Sequence, residues 1–230
     1  MKHTHTIIVP CETTEGPLPY TQKQAYSKGM MATSLRKYIG IDEAGRGPWA
    51  GPVVAAAVVL NAKQPWTLFQ DSKALSAKAR AKAWEAIQVH HAYGVGMVHP
   101  HDIDRLNILQ ATFLAMERAV ENLQERVGVV PCAVRIDGNQ IPSWAKEAPW
   151  DARALVGGDA TDAGIAAASI VAKEVRDSWM RQMAAIWPEY GFEKHVGYGV
   201  PQHSDALVRV GPCPIHRRSY APIRRLLDKA

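Results

Sequence analysis

Cysteine is scarce. The 230 residues hold three, Cys11, Cys132 and Cys213, odd in number and far apart. That pattern excludes a disulfide framework, and the lack of close pairs argues against a zinc site, so reduced thiols are expected. Long hydrophobic runs are also missing. The longest, Val53–Leu60 and Ile165–Ala172, fall well short of the roughly 20 residues that span a bilayer. After Met-Lys-His-Thr-His-Thr only Ile7–Pro10 is apolar, too short for the hydrophobic region of a signal peptide. These absences predict a cytoplasmic protein with no membrane partner. There is no acidic excess either: 27 Lys and Arg face 22 Asp and Glu, giving +5 and a pI near 9.1. A basic balance favours a polyanionic partner, because Lys and Arg displace counterions from phosphates. The basic run Arg209, Arg217, Arg218, Arg224, Arg225 and Lys229 is opposed only by Asp228. On charge alone it reads equally as a solvated helix face.

What is present fits one globular domain with a sizeable core, since 47% of residues are hydrophobic and 21% charged. Residues 1–35 lack periodicity and read as a flexible extension, with Met30 or Met31 as an alternative translation start. Tyr38–Asp42 and Gly51–Leu60 read as strands of a hairpin joined through the crowded Ala44-Gly45-Arg46-Gly47-Pro48 turn. Ser76 can cap a helix reaching about Val89, and Ala92–Val98 alternates as a strand. From about His101 to Leu123, apolar residues recur every three or four positions, one buried helix face. Ala133–Asp137 and about Ala152–Val156 read as short strands. A helix over roughly Asp162–Ile186 opens on small residues that would let it lie close against a sheet, and Trp187-Pro188 ends it. Residues 188–230 are expected as loop and short helix. This order predicts an α/β domain with a mixed sheet. The expected division is an extension at 1–35, a catalytic domain at 36–187 and a C-terminal helical extension at 188–230.

Four acids stand where strands end or helices begin: Asp42, Glu43, Asp137 and Asp159. Adjacent strand residues point to opposite faces, so Asp42 and Glu43 share a pocket only if the strand ends there. Gathered carboxylates repel one another and raise each other's pKa unless cations neutralise them. Mg²⁺ and Mn²⁺ suit such oxygen ligands, and two ions about 3.5–4 Å apart can activate water and stabilise a leaving oxygen in phosphodiester cleavage. Each acid read singly is equally a turn residue or helix cap. Asp71, Asp102, Asp104 and Asp162 also lie at turns or helix starts, and spacing does not choose between Asp159 and Asp162.

The segment Tyr38-Ile-Gly-Ile-Asp-Glu-Ala-Gly-Arg-Gly-Pro-Trp-Ala-Gly-Pro52 resembles the opening signature of ribonuclease HII. Asp71-Ser-Lys73, Asp104–Gln110, Asp137-Gly-Asn139, Ala166–Lys173, Gly197-Tyr-Gly199 and Gly211–Ser219 resemble its later motifs in order, spanning roughly residues 38–222. The resemblance implies a ribonuclease H-like fold, a central mixed five-stranded sheet flanked by helices. It implies an endonuclease, a monomer by default, acting on RNA–DNA hybrids and on ribonucleotides embedded in duplex DNA. The cut would fall 5′ to the ribonucleotide and leave a 3′-hydroxyl and a 5′-phosphate. The biological role implied is ribonucleotide removal from DNA.

By the same resemblance Asp42, Glu43, Asp137 and Asp159 are the metal-binding acids for Mg²⁺ or Mn²⁺, and Asp162 becomes a helix cap. Gly45, Arg46 and Gly47 would contact the ribonucleotide, whose 2′-hydroxyl separates RNA from DNA. Tyr198 would pack on the following deoxyribose, and Ser72 and Lys73 would contact a backbone phosphate. Lys173 would face the site from its helix, His195 and His216 would be structural or phosphate-adjacent, and Asp104 would serve packing and capping.

Three departures from the family pattern stand out. Gly157 stands where a lysine is usual, residues 160–164 lack the usual basic-polar character, and Trp49 replaces a smaller aliphatic residue. A non-catalytic binder on the same fold, the related ribonuclease HIII and an unrelated phosphatase are the rival readings. Retention of all four acids argues against the first, because clustered negative charge gains nothing for binding phosphates.

Overall fold

The computed structural model describes residues 38–64, 69, 75–128 and 132–228. Ser72 and Lys73 lie outside them, as do Cys11 and the 1–35 extension.

Five strands form one sheet in the order β3-β2-β1-β4-β5: β1 Tyr38–Ala44, β2 Val53–Val59, β3 Ala92–Val98, β4 Ala133–Asp137 and β5 Asp151–Leu155. The first three pair antiparallel, whereas β4 lies parallel to both β1 and β5, so the sheet is mixed as expected. The β1–β2 hairpin with its crowded turn is present.

Both faces of β2 are buried, which is why its sequence is an unbroken apolar run. On one face Val53, Ala55, Ala57 and Val59 pack with Ile39 and Ile41 of β1 against the helix α3, Ile108–Val127. On the other, Val54, Ala56 and Val58 meet α1, Ala77–His90, and the small residues of α6, Ala163–Ile186. At Gly40 of β1, helix and strand approach so closely that a Cβ would stand 2.1 Å from the Gly164 carbonyl carbon.

The single helix expected from about His101 is two. The helix α2, Pro100–Leu106, stops at Asn107, whose φ of 69° breaks the helical path. The Asn107 side chain then accepts hydrogen bonds from the Leu109 and Gln110 amides and caps α3. Two short helices that periodicity did not reveal are α4, Ser143–Glu147, and α5, Gly158–Thr161. Ser76 caps α1 as expected, and Asp162 caps α6 by accepting from the Gly164 and Ile165 amides.

Beyond α6 come a 3-10 turn at Pro188–Tyr190, α7 Phe192–His195, α8 Pro201–Val210 and α9 Ala221–Leu227. They pack on the far end of α6 around Met180, Tyr190, Phe192, Leu207 and Ile223, and reach Ala50 of the hairpin turn. An isolated bridge from Ala50 to His216 ties that turn to the C-terminal segment. The basic run does not form one solvated face: Arg217 is fully buried, while Arg209, Arg218, Arg224 and Arg225 are exposed. Among the described residues no helix is long and apolar enough to cross a membrane.

Candidate active site

The strand β1 continues to Ala44, two residues past its expected end, with Asp42 opposite Ala56 and Glu43 opposite Ala55. Its parallel pairing with β4 stops at Ile41 and Ile136. Asp42 and Glu43 therefore leave opposite faces of a strand whose other neighbour is ending at Asp137, and both remain close to that acid. Strand termination is not what brings them near each other, as alternation had suggested. The end of the neighbouring strand does it.

Asp42 is only 6% exposed and sits on the α6 side. Its Oδ1 accepts from the Glu43 amide at 2.7 Å, and the Ser169 hydroxyl of α6 hydrogen-bonds the same carboxyl. Burial holds this carboxyl well above the ordinary carboxylate range, and the nearby charges of Glu43 and Asp137 push the same way. Glu43 is also raised by burial, against the pull of Arg46, whose Nη1 lies 3.1 Å from Oε1. Asp137 Oδ1 accepts from the Gly158 amide at 2.8 Å. That bond ties the end of β4 to the turn carrying Asp159, which is 2% exposed in the first turn of α5.

Among the described residues, no three acidic, histidine or cysteine side chains close on a single ion-sized point. Asp42, Glu43 and Asp137 stand as neighbours, each with at least one oxygen engaged locally, and Asp159 follows directly on the Gly158 amide that Asp137 binds. All-oxygen donors under mutual repulsion fit a hard divalent cation that keeps several of its waters.

Beside these acids lies a cleft of about 450 Å³ lined by Glu43, Gly45, Arg46, Gly47, Arg80, Ser169, Lys173 and Tyr198, among others. Its cations outnumber its acids, which suits a phosphate backbone. Lys173 faces this cleft and pairs with Asp177 at 3.0 Å, while Arg80 of α1 pairs with Glu174 at 2.6 Å. Tyr198 is 44% exposed at the rim, next to Gly47. Gly157 opens α5 at a φ of 66° with free space around it, so no cation stands there.

Asp104 reaches the C-terminal segment. Its carboxylate accepts from the Arg218 and Ser219 amides and from the Ser219 hydroxyl, a capping role between two distant parts of the chain. Sequence reasoning missed Ser169, Arg80, Arg176 and Arg217 as site residues. Ser169 lay inside a matching stretch, but nothing in its neighbours separates a site serine from a packing one. Arg217 read only as part of a basic run, and Arg80 and Arg176 stand in no pattern that singles them out.

Behind Tyr198 runs a chain of buried imidazoles. His203 Nδ1 donates to the Tyr198 carbonyl at 2.9 Å, so its Nε2 accepts from His216 Nε2–H at 2.9 Å. His216 Nδ1 in turn accepts from the Cys213 amide at 2.9 Å. His195 stacks on His203 with ring centroids 4.7 Å apart and bonds the Tyr190 carbonyl, so it is structural, as is His216. The chain is complete only when His203 and His216 are both neutral. Burial lowers each to about 4; His195 adds to both shifts and His203 to that of His216. Folded pKa values below the unfolded 6.5 mean that the unfolded chain binds more protons, so stability is full above pH 6.5 and is lost as pH falls toward 4. The melting temperature is expected to fall by several degrees between pH 7 and pH 5. In the His203→Gln/His216→Gln double variant that slope should flatten. An equal slope in both proteins, read by scanning calorimetry, would assign the acid sensitivity elsewhere.

Residues 39–223 match the family described as Ribonuclease HII. The chain belongs to the ribonuclease HII family. The ribonuclease HII of Maricaulis maris is 48% identical over 92% of this chain and 93% of its own length. That of Burkholderia pseudomallei is 52% identical over 82% of this chain and 85% of its own. Among solved structures, ribonuclease H2 from Pyrococcus horikoshii matches with a TM-score of 0.68 at 27% identity, covering 84% of this chain and 98% of that one. As a family member the chain is a hydrolase, an endoribonuclease that acts on RNA paired with DNA. The ribonuclease H-like fold expected from the sequence is the fold observed.

Proposed function

We propose that this member of the ribonuclease HII family cuts 5′ to ribonucleotides embedded in duplex DNA, as well as within RNA–DNA hybrids, leaving a 3′-hydroxyl and a 5′-phosphate. Asp42, Glu43, Asp137 and Asp159 are its catalytic acids and would hold two divalent ions, Mg²⁺ or Mn²⁺. The observation that carries this reading is the Asp42 carboxyl, buried beside two other acids and, among the described residues, with no cationic side chain bonded to it. Such an arrangement costs stability and makes sense where cations bind. Bound there, the ions would supply an activated water and stabilise the leaving oxygen. The protein's own part is placement. The Asp42 and Asp137 carboxyls are oriented by the Glu43 and Gly158 amides, and Arg46 holds Glu43 at the cleft mouth.

Gly45, Arg46 and Gly47 read the ribonucleotide through main-chain groups, which glycine leaves sterically open. Tyr198 packs on the next deoxyribose, and Ser72 and Lys73 bind a phosphate. Residues 36–187 form the catalytic domain, and the 188–230 extension completes the substrate cleft by supplying Tyr198.

The test is a DNA duplex with one ribonucleotide, incubated with the purified protein. A single cut 5′ to that nucleotide is expected with Mg²⁺ or Mn²⁺, none in EDTA, and none in the all-DNA duplex. A folded protein that binds the duplex but leaves it whole with either ion would defeat the reading and favour the non-catalytic binder.

A further inference from the structure

The most deeply buried large side chains of the molecule include two arginines, Arg176 of α6 and Arg217 beyond α8, exposed by 1% and 0%. A buried cation normally needs an anionic partner. Among the described residues neither has a carboxylate within ion-pair distance. Most of their donors go instead to main-chain carbonyls of the hairpin turn, the exceptions being the Val196 carbonyl and the Tyr220 hydroxyl. Arg176 Nε donates to the Pro52 carbonyl at 3.0 Å, and its Nη2 to those of Ala50 and Val196 at 3.2 and 3.0 Å. Arg217 Nε donates to Gly51 at 2.9 Å, Nη1 to Arg46 at 2.9 Å, and Nη2 to Gly45. Tyr220 supports the second arginine: it accepts from Arg217 Nη1 at 2.8 Å and donates to the same Arg46 carbonyl.

This pattern has a consequence for the other side of the loop. In a trans peptide the carbonyl and the following N–H point in opposite directions. Carbonyls of Gly45 and Arg46 held inward turn the amides of Arg46 and Gly47 outward, toward the cleft. Among the described residues neither amide has an intramolecular acceptor. Gly45 completes the fit: its φ is 95°, and a Cβ there would stand 2.1 Å from Arg176 Nε.

We propose that Arg176 and Arg217 are the positioning residues for ribonucleotide recognition. From behind the hairpin turn Arg217 fixes the Gly45 and Arg46 carbonyls inward and so aims the Arg46 and Gly47 amides at the ribose, while Arg176 packs under Gly45 and anchors the other end of the turn at Ala50 and Pro52. The planar fork of a guanidinium is what lets one side chain serve three carbonyls, and a lysine ammonium cannot reproduce it. The two buried positive charges directly under the turn also draw the substrate's phosphates to that place. This inference rests on the proposed role of the Gly45-Arg46-Gly47 turn in contacting the ribonucleotide.

The test separates positioning from fold maintenance by reading a ratio. Fluorescence anisotropy in EDTA, where hydrolysis does not compete, gives the affinity for a duplex with one ribonucleotide and for the same all-DNA duplex. The wild-type protein is expected to prefer the first. In Arg217→Lys and Arg176→Lys that preference should shrink about tenfold, the size expected for one or two misaligned hydrogen bonds, while all-DNA binding changes little. A purely structural role would lower the melting temperature and the active fraction but leave the ratio intact.

Because a lysine variant can fail to fold, Tyr220→Phe is measured beside them. It removes one hydroxyl from the Arg217–Arg46 contact, should melt within a few degrees of wild type, and should lose several-fold of the preference. A wild-type ratio in the folded variants, Tyr220→Phe included, overturns the positioning role. Absence of any preference in the wild-type protein would instead defeat the reading of the turn itself.

Discussion

Asp42→Asn is expected to lower cleavage of a ribonucleotide-containing duplex by about 10³-fold or more while leaving the protein at least as stable as before. The loss follows from chemistry: a ligand to ions that stabilise the transition state by several kcal/mol is made neutral and weakly donating. The stability follows from burial. The Asp42 carboxyl is desolvated and flanked by Glu43 and Asp137, so the neutral isostere removes an unfavourable charge from the fold. In EDTA the variant should melt a few degrees above the wild type, since about 1 kcal/mol moves a domain of this size by roughly 2–4 °C. Asp137→Asn should lose activity similarly while staying folded, because its remaining Oδ1 can still accept from the Gly158 amide and hold the turn. Asp151→Asn is the control. That acid is exposed on β5 and paired with Arg135 and Arg153, remote from the cleft, so activity should stay within a factor of about two. Steady-state cleavage and calorimetry on the three variants decide the matter. Activity within tenfold of wild type in Asp42→Asn would remove that acid from the catalytic set, and a lower melting temperature would contradict the account of its burial.

Gly40→Ala is expected to destabilise the protein by about 2–4 kcal/mol, far more than its single methyl group suggests. The added carbon would fall 2.1 Å from the Gly164 carbonyl carbon and 2.4 Å from the Ile165 nitrogen. Both are backbone atoms at the start of α6, so no rotamer change relieves the clash and the helix itself must move outward. That helix carries Ser169 against Asp42, and its cap Asp162 follows directly on α5, which holds Asp159. Residual activity of the folded fraction should therefore drop as well. Gly164→Ala gives the comparison. Its Cβ would meet the Tyr38 ring at 3.0 Å and the Asp162 carboxylate at 3.1 Å, both side chains that can shift, and the Gly40 Cα only at 3.4 Å. A much smaller loss is expected there. Equal urea midpoints for the two variants would mean that the strand–helix approach is softer than the geometry implies.

Local chemistry made much of this protein readable in its sequence. The turn glycines and the β-branched run around Val53–Val59 marked the hairpin, and the small residues after Asp162 marked the helix that packs closest to the sheet. Position at strand and helix ends made Asp42, Glu43, Asp137 and Asp159 candidates together with other acids such as Asp162, and only resemblance to a family chose among them. The break at Asn107 was missed because apolar spacing runs on in phase through Leu106 and Leu109. Periodicity records which face is buried, whereas a single capping side chain decides where the helix path turns.

What the sequence determined, then, was the five strands, the longer helices and the residue types able to do the chemistry, since these depend on neighbours within a few positions, while the short helices α4 and α5 and the break at Asn107 escaped it. The tertiary structure alone decided who meets whom. Asp42 comes beside Asp137 because β4 inserts parallel to β1 and ends one residue past their pairing. Arg217 turns from apparent surface charge into a buried clamp because it meets the carbonyls of Gly45, Arg46 and Gly51, more than 160 residues earlier in the chain. His203 and His216 hydrogen-bond behind Tyr198 for the same reason. An arginine or histidine carries no local mark of its eventual partner. Its role is fixed by the desolvated surroundings and the acceptors that folding assembles around it.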